Sequence, residues 1–198
     1  MGLPTETDED LAGIADLAYK VLNLYRKVTG KNNGKVTVSV SSFVPKAHSA
    51  FQWAPQCSIE EIERKQQYIK GLIRDKHISY HYHDARTGRM EAAFARGDRR
   101  LGKVLYYAWK KGCKFDGWTE MFDYDKWNES FADAGLEVDY FASRQRGAQE
   151  PFPWDHMSAG VAKAYLLNEW KKAHDEELTD DCRRKRCTGY GVCPNLGV

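Results

Sequence analysis

Two stretches of period-2 alternation, with a helical pattern between them, constrain this chain more than any other feature. Lys35-Val36-Thr37-Val38-Ser39-Val40-Ser41 alternates branched and small polar residues, and Ile78-Ser79-Tyr80-His81-Tyr82-His83 alternates again. Both predict strands. Between them Ser58 and Glu61 form a capping box. Ile59, Ile62, Gln66, Ile69, Leu72 and Ile73 then mark one helix stripe, ending near Asp75. A strand, a crossover helix and a second strand predict parallel pairing and an α/β fold. Ahead of the first strand, Thr7 caps a helix whose first turn carries Asp8, Glu9 and Asp10. Leu11, Ile14, Leu17, Ala18, Val21, Leu22 and Tyr25 recur at helical spacing until Gly30. The chain thus opens as loop, helix, strand, and Gly2-Leu3-Pro4 looks like the end of a β-α unit whose strand is cut away.

Past Thr87 the alternation stops and only helices are predicted. They cover Met90 to Arg96, a segment capped by Asp98 that ends at Gly112, Tyr124 to Ala134, Val138 to Arg146, and Val161 to Glu177. The boundary is placed near Gly88, giving an α/β part over 1–87, a helical extension over 88–177 and a Cys-rich tail over 178–198.

Charge excludes several partners. Thirty Lys and Arg against 28 Asp and Glu leave a net +2 over 198 residues, too little to make nucleic acid the default partner. No apolar run approaches the roughly 20 residues that span a bilayer, so no membrane partner is expected. The acidic start lacks the basic and apolar regions of a signal peptide, which predicts a cytoplasmic location. Five cysteines, an odd number crowded toward the tail, fit a reducing compartment better than a disulfide framework.

Gly2-Leu3-Pro4-Thr5-Glu6-Thr7 with its acidic helix start resembles the fifth-strand motif of radical SAM enzymes. The stretch from Ser39 to His48, then Phe51-Gln52-Trp53, is similar to the sixth strand and following loop of one subgroup, which often carries a cobalamin-binding-type domain at its N-terminus. Phe94 to Gly102, Phe115-Asp116-Gly117-Trp118, Pro153-Trp154-Asp155-His156 and the tail from Asp181 through Cys193 are similar to motifs of that subgroup's helical extension. The resemblance implies the last βαβ unit of a truncated βα partial barrel, followed by an all-helical extension. It also implies S-adenosylmethionine and a 4Fe–4S cluster as cofactors, with cobalamin in a full-length protein. Gly2, Leu3, Pro4, Phe43, Val44 and Pro45 would line the cofactor edge. The family's cluster motif, C-x-x-x-C-x-x-C, does not occur here. The chain therefore resembles the C-terminal part of a longer enzyme, inactive by itself, whose partner is the N-terminal radical SAM region or a separate chain carrying it.

The residues carry readings of their own. Gly2 to Pro4 also suit a tight β-α turn. His48, Phe51, Gln52 and Trp53 sit on a loop at the carboxyl end of a strand, where barrel-like folds place substrates. His48 and Gln52 are substrate-side candidates and Trp53 a shield, or the aromatics are a plug. His81 and His83 share a strand face and are read as exposed polar residues, opposite a buried Tyr80 and Tyr82. Arg96, Asp98, Arg99 and Arg100 form a charged cluster in which Arg96 and Arg99 are substrate-side candidates and Arg99 or Arg100 can pair bidentately with a carboxylate or phosphate; equally, Asp98 caps a helix and the arginines bridge to Asp116 or Asp155. Trp118, Trp127, Trp154 and Trp170 are predicted as core.

In the tail, Cys182, Cys187 and Cys193 lie on a Gly-rich loop followed by Pro194, and can hold zinc or an iron–sulfur cluster. The family pattern has a fourth cysteine where this chain has Tyr190. Asp181, His174 or His156 can complete the set; otherwise the thiols are free. Arg183 to Arg186 weakly favour an RNA or phosphate partner. Two functions remain open: part of a radical SAM enzyme of unstated substrate, or a non-catalytic, metal-stabilised module that binds protein or RNA. The uncharged strand at 36–40 further predicts self-association through its edge.

Overall fold

The structure is a computed structural model and describes residues 1–193; Pro194 lies outside them. Helix α1 spans Asp8–Thr29. Thr7 and Asp10 form a reciprocal capping box, and Gly30, left-handed at φ 66°, donates to the Arg26 carbonyl. Strand β1 (Val36–Val40) follows, then α2 (Ile59–Leu72), capped by Ser58, and β2 (Ile78–Tyr82). The strands pair in parallel, Val36 opposite Ile78 and Val40 opposite Tyr82. Ala18 and Leu22 of α1 press on Ile78, with Val36, Val38, Tyr19 and Ile73 around them. The α/β expectation therefore holds for a small two-stranded parallel sheet within a mostly helical chain.

The sheet is covered on one face only. Val36, Val38 and Val40 are half-buried while Thr37, Ser39, Ser79 and His81 lie exposed. Parallel sheets are ordinarily covered on both faces. Tyr82 corrects an expectation: it is 39% exposed rather than buried. The apolar cluster gathers at the start of β2 around Ile78, so Tyr80 and Tyr82 stack on each other farther along, at 5.2 Å.

Beyond β2 come α3 (Ala85–Arg96), α4 (Leu101–Lys110), α5 (Tyr124–Asp133), α6 (Val138–Ala142) and α7 (Lys163–His174). Their main core joins Met90, Ala93, Val104, Trp127, Phe131 and Phe141. A second joins Trp53 of the aromatic loop to Phe152, Trp154 and Leu166. Helix α3 starts earlier than expected, so Gly88 lies inside it. The Asp84 carboxylate accepts from the Thr87 amide at 2.8 Å and starts the helix ahead of its apolar residues. Asp98 caps only a turn before α4, accepting from the Arg100 amide at 2.9 Å. Helix α6 is shorter than expected because after Ser143 the chain runs irregularly, its Ala142 and Arg144 carbonyls taken by Arg96. Trp118 is exposed rather than core: its loop is a run of turns, the Trp118 amide donating to the Phe115 carbonyl at 2.9 Å. Among the described residues no helix is long and apolar enough to cross a membrane.

Candidate functional site

Arginines hold the elements that carry the candidate residues. Arg89 and Arg96 stand on the same face of α3 as Ala85, Ala92 and Ala93, and all are buried. Arg96 donates to the Ala142 carbonyl and, at 2.6 Å, to the Arg144 carbonyl. Arg89 donates to Ser143 Oγ and, at 3.1 Å, to the Cys57 carbonyl. Arg146 donates from its guanidinium to the Arg96 carbonyl and from its amide to the Trp53 carbonyl at 3.1 Å, while Gln56 donates its amide to the Ala142 carbonyl at 3.0 Å. The aromatic loop and the irregular segment after α6 are thereby pinned to α3. Burial, with Arg146 and Arg144 close by, pulls the Arg96 guanidinium down to about 10. Arg96, a substrate-side candidate by sequence, is 1% exposed and engaged with main chain.

Gly2, Leu3 and Pro4 line a cavity of about 460 Å³ together with Gln56, Cys57, Lys65, Trp170 and His174. The glycine is required for a protein-side reason. Its φ is +92°, and a Cβ there would lie 2.7 Å from Ile62 Cδ1. Glu6 Oε2 accepts from the Gly2 amide at 2.7 Å and from Lys65 Nζ at 2.8 Å. Both side chains of that ion pair are nearly buried. Gln56 donates to the carbonyls of Gly88, at 3.0 Å, and Phe43, at 3.3 Å. Its own Oε1 is buried and has no hydrogen-bond partner. Burial pushes the Cys57 thiol above its usual range. Phe43, Val44 and Pro45 do not line this cavity. Pro45 is buried and Val44 packs on the helical core. Phe43 meets Phe51 edge-on at 5.7 Å, and Phe51 meets Trp170 at 5.4 Å.

The substrate-side candidates gather around the turn that carries Phe152 to Met157. Gln52 is buried, and its Oε1 accepts from Trp154 Nε1 at 2.9 Å and from the His48 amide at 3.2 Å. Trp53 is buried against Phe152. His48, left-handed at φ 56°, lines a cleft of about 380 Å³ with Gln52, Asp155 and Lys163. Burial pushes the Asp155 carboxyl up; Lys163 Nζ at 2.7 Å, the Phe152 amide and nearby His48 outweigh it and hold the group below the usual range. Arg99 is exposed and lines a neighbouring cleft of about 700 Å³ with Asp98, Trp154 and His156.

Among the described residues of the tail, Cys182, Cys187 and Cys193 are not gathered into one ligand set. Tyr190 Oη lies 3.4 Å from Cys193 Sγ, and that hydrogen bond, with the neighbouring thiols, pushes the phenol up to about 12. Cys187 Sγ accepts from the Gly189 amide at 3.4 Å. Among the described residues no three His, Cys, Asp or Glu side chains come together to hold a metal ion.

Sequence reasoning missed Gln56, Arg89, Arg146 and the Lys65–Glu6 pair. A signal existed for two of the residues: Lys65 lies on the stripe of Ile62 and Ile69, and Arg89, like Arg96, lies on the alanine stripe of α3. A charge on a buried stripe marks a group with a specific partner.

No protein-family model matches this chain, and no solved structure matches it significantly. Among curated proteins it is similar to an uncharacterized protein of Methanocaldococcus jannaschii, 29% identical over 140 residues that cover 69% of this chain. The chain spans 28% of the length of that curated relative.

Proposed function

We propose that the chain is the ligand- and substrate-side part of a radical SAM enzyme, working beside an iron–sulfur region supplied by another stretch of polypeptide. The observation that carries the reading is the Gly2–Pro4 cavity, lined in part by Gln56, whose buried Oε1 has no hydrogen-bond partner. A buried acceptor of this kind favours a ligand N–H, as in the amino groups of S-adenosylmethionine. The 4Fe–4S cluster does not fit this chain: the described residues hold no three-ligand group. When bound beside such a cluster, S-adenosylmethionine supplies the radical chemistry. This chain's part is to bind and orient. Gln56 Oε1 accepts a hydrogen bond, the Lys65–Glu6 pair holds the Gly2 turn, and Trp170, held edge-on by Phe51, covers the cavity wall.

Titration with 5′-deoxyadenosine tests this. Saturable binding is expected, weakened about tenfold by Gln56→Leu, the loss of one buried hydrogen bond. No binding, or equal binding by a folded variant, contradicts it. The chain alone, reconstituted anaerobically with iron, sulfide and reductant, is expected to form no 5′-deoxyadenosine from S-adenosylmethionine.

A second reading, a module that binds a protein or RNA without chemistry of its own, is favoured by the surface after α3. Trp109 is 68% exposed and Trp118 65% exposed, beside Lys110 and Lys114. Under that reading the same titration shows no binding.

A further inference from the structure

The charges packed around the turn that carries Phe152 to Met157 do not balance. Glu150 holds Arg144 through two hydrogen bonds, at 2.6 and 2.8 Å. Asp98 holds Arg100 in the same way, at 2.8 and 3.0 Å. Asp155 holds Lys163 at 2.7 Å. Among the described residues no carboxylate is left to pair with Arg96 or Arg146. Both are buried and both direct their guanidinium donors at main chain: Arg96 at the Ala142 and Arg144 carbonyls, Arg146 at the Arg96 carbonyl. Each also keeps a buried Nε without a hydrogen-bond partner. Burial pulls the Arg146 guanidinium below its usual range, as it does that of Arg96. A cation held out of water without a counter-charge is unfavourable, and an anion brought near it relieves that cost.

A cleft of about 700 Å³ runs beside these two charges, between the turn at 97–99 and the turn at 152–157. The Arg146 guanidinium lies over the rings of Trp154, at 5.1 Å, and Phe152, at 5.4 Å, and both rings line the cleft. Arg146 does not line it, so the rings stand between the buried charge and the open space. Ala95 and Gly97, the chain neighbours of Arg96, line it as well. A Cβ on Gly97 would lie 2.8 Å from the Ala93 carbonyl oxygen, so the turn that presents Arg99 requires glycine. Arg99 is exposed at the cleft, and among the described residues its side chain takes no hydrogen bond or ion pair; His156 is exposed beside it. The one carboxylate on the wall, Asp98, is already held by Arg100. The remaining wall is apolar, from Pro151, Phe152, Pro153 and Met157.

We propose that this cleft binds an organic anion, a carboxylate or phosphate carried on an apolar body. The Arg99 guanidinium takes the anionic head through two parallel bonds, His156 adds a donor, and the body lies against Pro151, Phe152 and Met157. Arg96 and Arg146 act from behind the wall, through an interior in which charges are weakly screened. A neutral or cationic ligand leaves their charge as it stands. The cleft shares no residue with the Gly2–Pro4 cavity, so the inference is independent of the S-adenosylmethionine reading.

Calorimetric titration of the full chain with phenyl phosphate, phenylacetate, phenylacetamide and inorganic phosphate tests it, with neither iron nor S-adenosylmethionine present. At least one of the two aromatic anions is expected to bind saturably, at least about tenfold more tightly than the neutral phenylacetamide and than inorganic phosphate, which lacks the apolar body. Whichever anion binds more tightly names the head group. Arg99→Gln is expected to weaken that binding about tenfold with the melting temperature unchanged, since Arg99 holds nothing else in the fold. Arg64→Gln, on α2, removes an equal charge and is expected to leave it unchanged. No saturable binding by either aromatic anion, equal binding of phenylacetamide or of inorganic phosphate, full affinity in Arg99→Gln, or an equal loss in Arg64→Gln would overturn the inference.

Discussion

In the α/β unit, β1 and β2 satisfy each other's backbone along one edge, and Ala18, Leu22 and Ile78 pack beneath them. In the helical region, the irregular segment after α6 has no strand to pair with; Arg96 donates to its Ala142 and Arg144 carbonyls, Arg89 to Ser143 Oγ, and its own Arg146 donates back to the Arg96 carbonyl. A ladder can be extended by one more strand; a carbonyl already held by a buried guanidinium cannot. The helical region is therefore closed upon itself, while the α/β unit stays open at β1, along the exposed α1 stripe of Leu17, Val21, Leu24 and Val28, and across its polar face.

The sharpest contrast comes from truncating large apolar residues in the two regions. Phe131 is buried against Phe94 and Phe141, and Phe131→Ala is expected to cost about 3–5 kcal/mol in urea unfolding. Leu24→Ala, on the exposed stripe, is expected to stay within about 0.5 kcal/mol. A large loss at Leu24 in the free chain would mean that α1 is already covered. Next in size is Arg96→Met, which leaves the Arg144 carbonyl without its donor and the Ala142 carbonyl with the Gln56 amide alone, at a cost of about 1–3 kcal/mol. Stability unchanged in Arg96→Met would show that the guanidinium does not hold the segment.

Acid reads out the α/β unit through Asp75. The His77 amide, the His77 ring and Arg26 hold the Asp75 carboxyl down to about 2. A carboxyl depressed in the folded state stabilises above its unfolded value near 3.8, and that stability is lost as pH falls toward 2. Asp75→Asn is expected to flatten this slope in acid unfolding; an unchanged slope assigns the acid sensitivity elsewhere. The smallest effect is at Tyr80, whose buried hydroxyl has no hydrogen-bond partner and whose phenol is pushed by burial up to about 12. Tyr80→Phe is expected to be neutral or to stabilise by up to about 1 kcal/mol. A loss instead would reveal a partner for that hydroxyl.

The open region was the more legible one. Local period and caps write α1, β1, α2 and β2 into the chain: Thr7, Gly30 and Ser58 mark ends that the structure keeps. The helical region depends on contacts across long separations, such as Arg96 to Ala142 and Gln52 to Trp154, which no local pattern carries. The site divides in the same way. Gly2 to Pro4 could be singled out as a turn, whereas Gln56 becomes a buried acceptor only because Gly88 and Phe43 use its amide. His48 and Gln52 were legible as a pair on one loop, but that Trp154 occupies the Gln52 oxygen was not.

The openness of β1 is measured most directly by amide-resolved hydrogen exchange on the free chain at dilute concentration. The Thr37 and Ser39 amides are expected to exchange at least about a hundredfold faster than those of Val36, Val38 and Val40, which donate into the β1–β2 ladder. Equal protection along the whole strand would contradict an open edge and would mean that β1 is already paired on both sides.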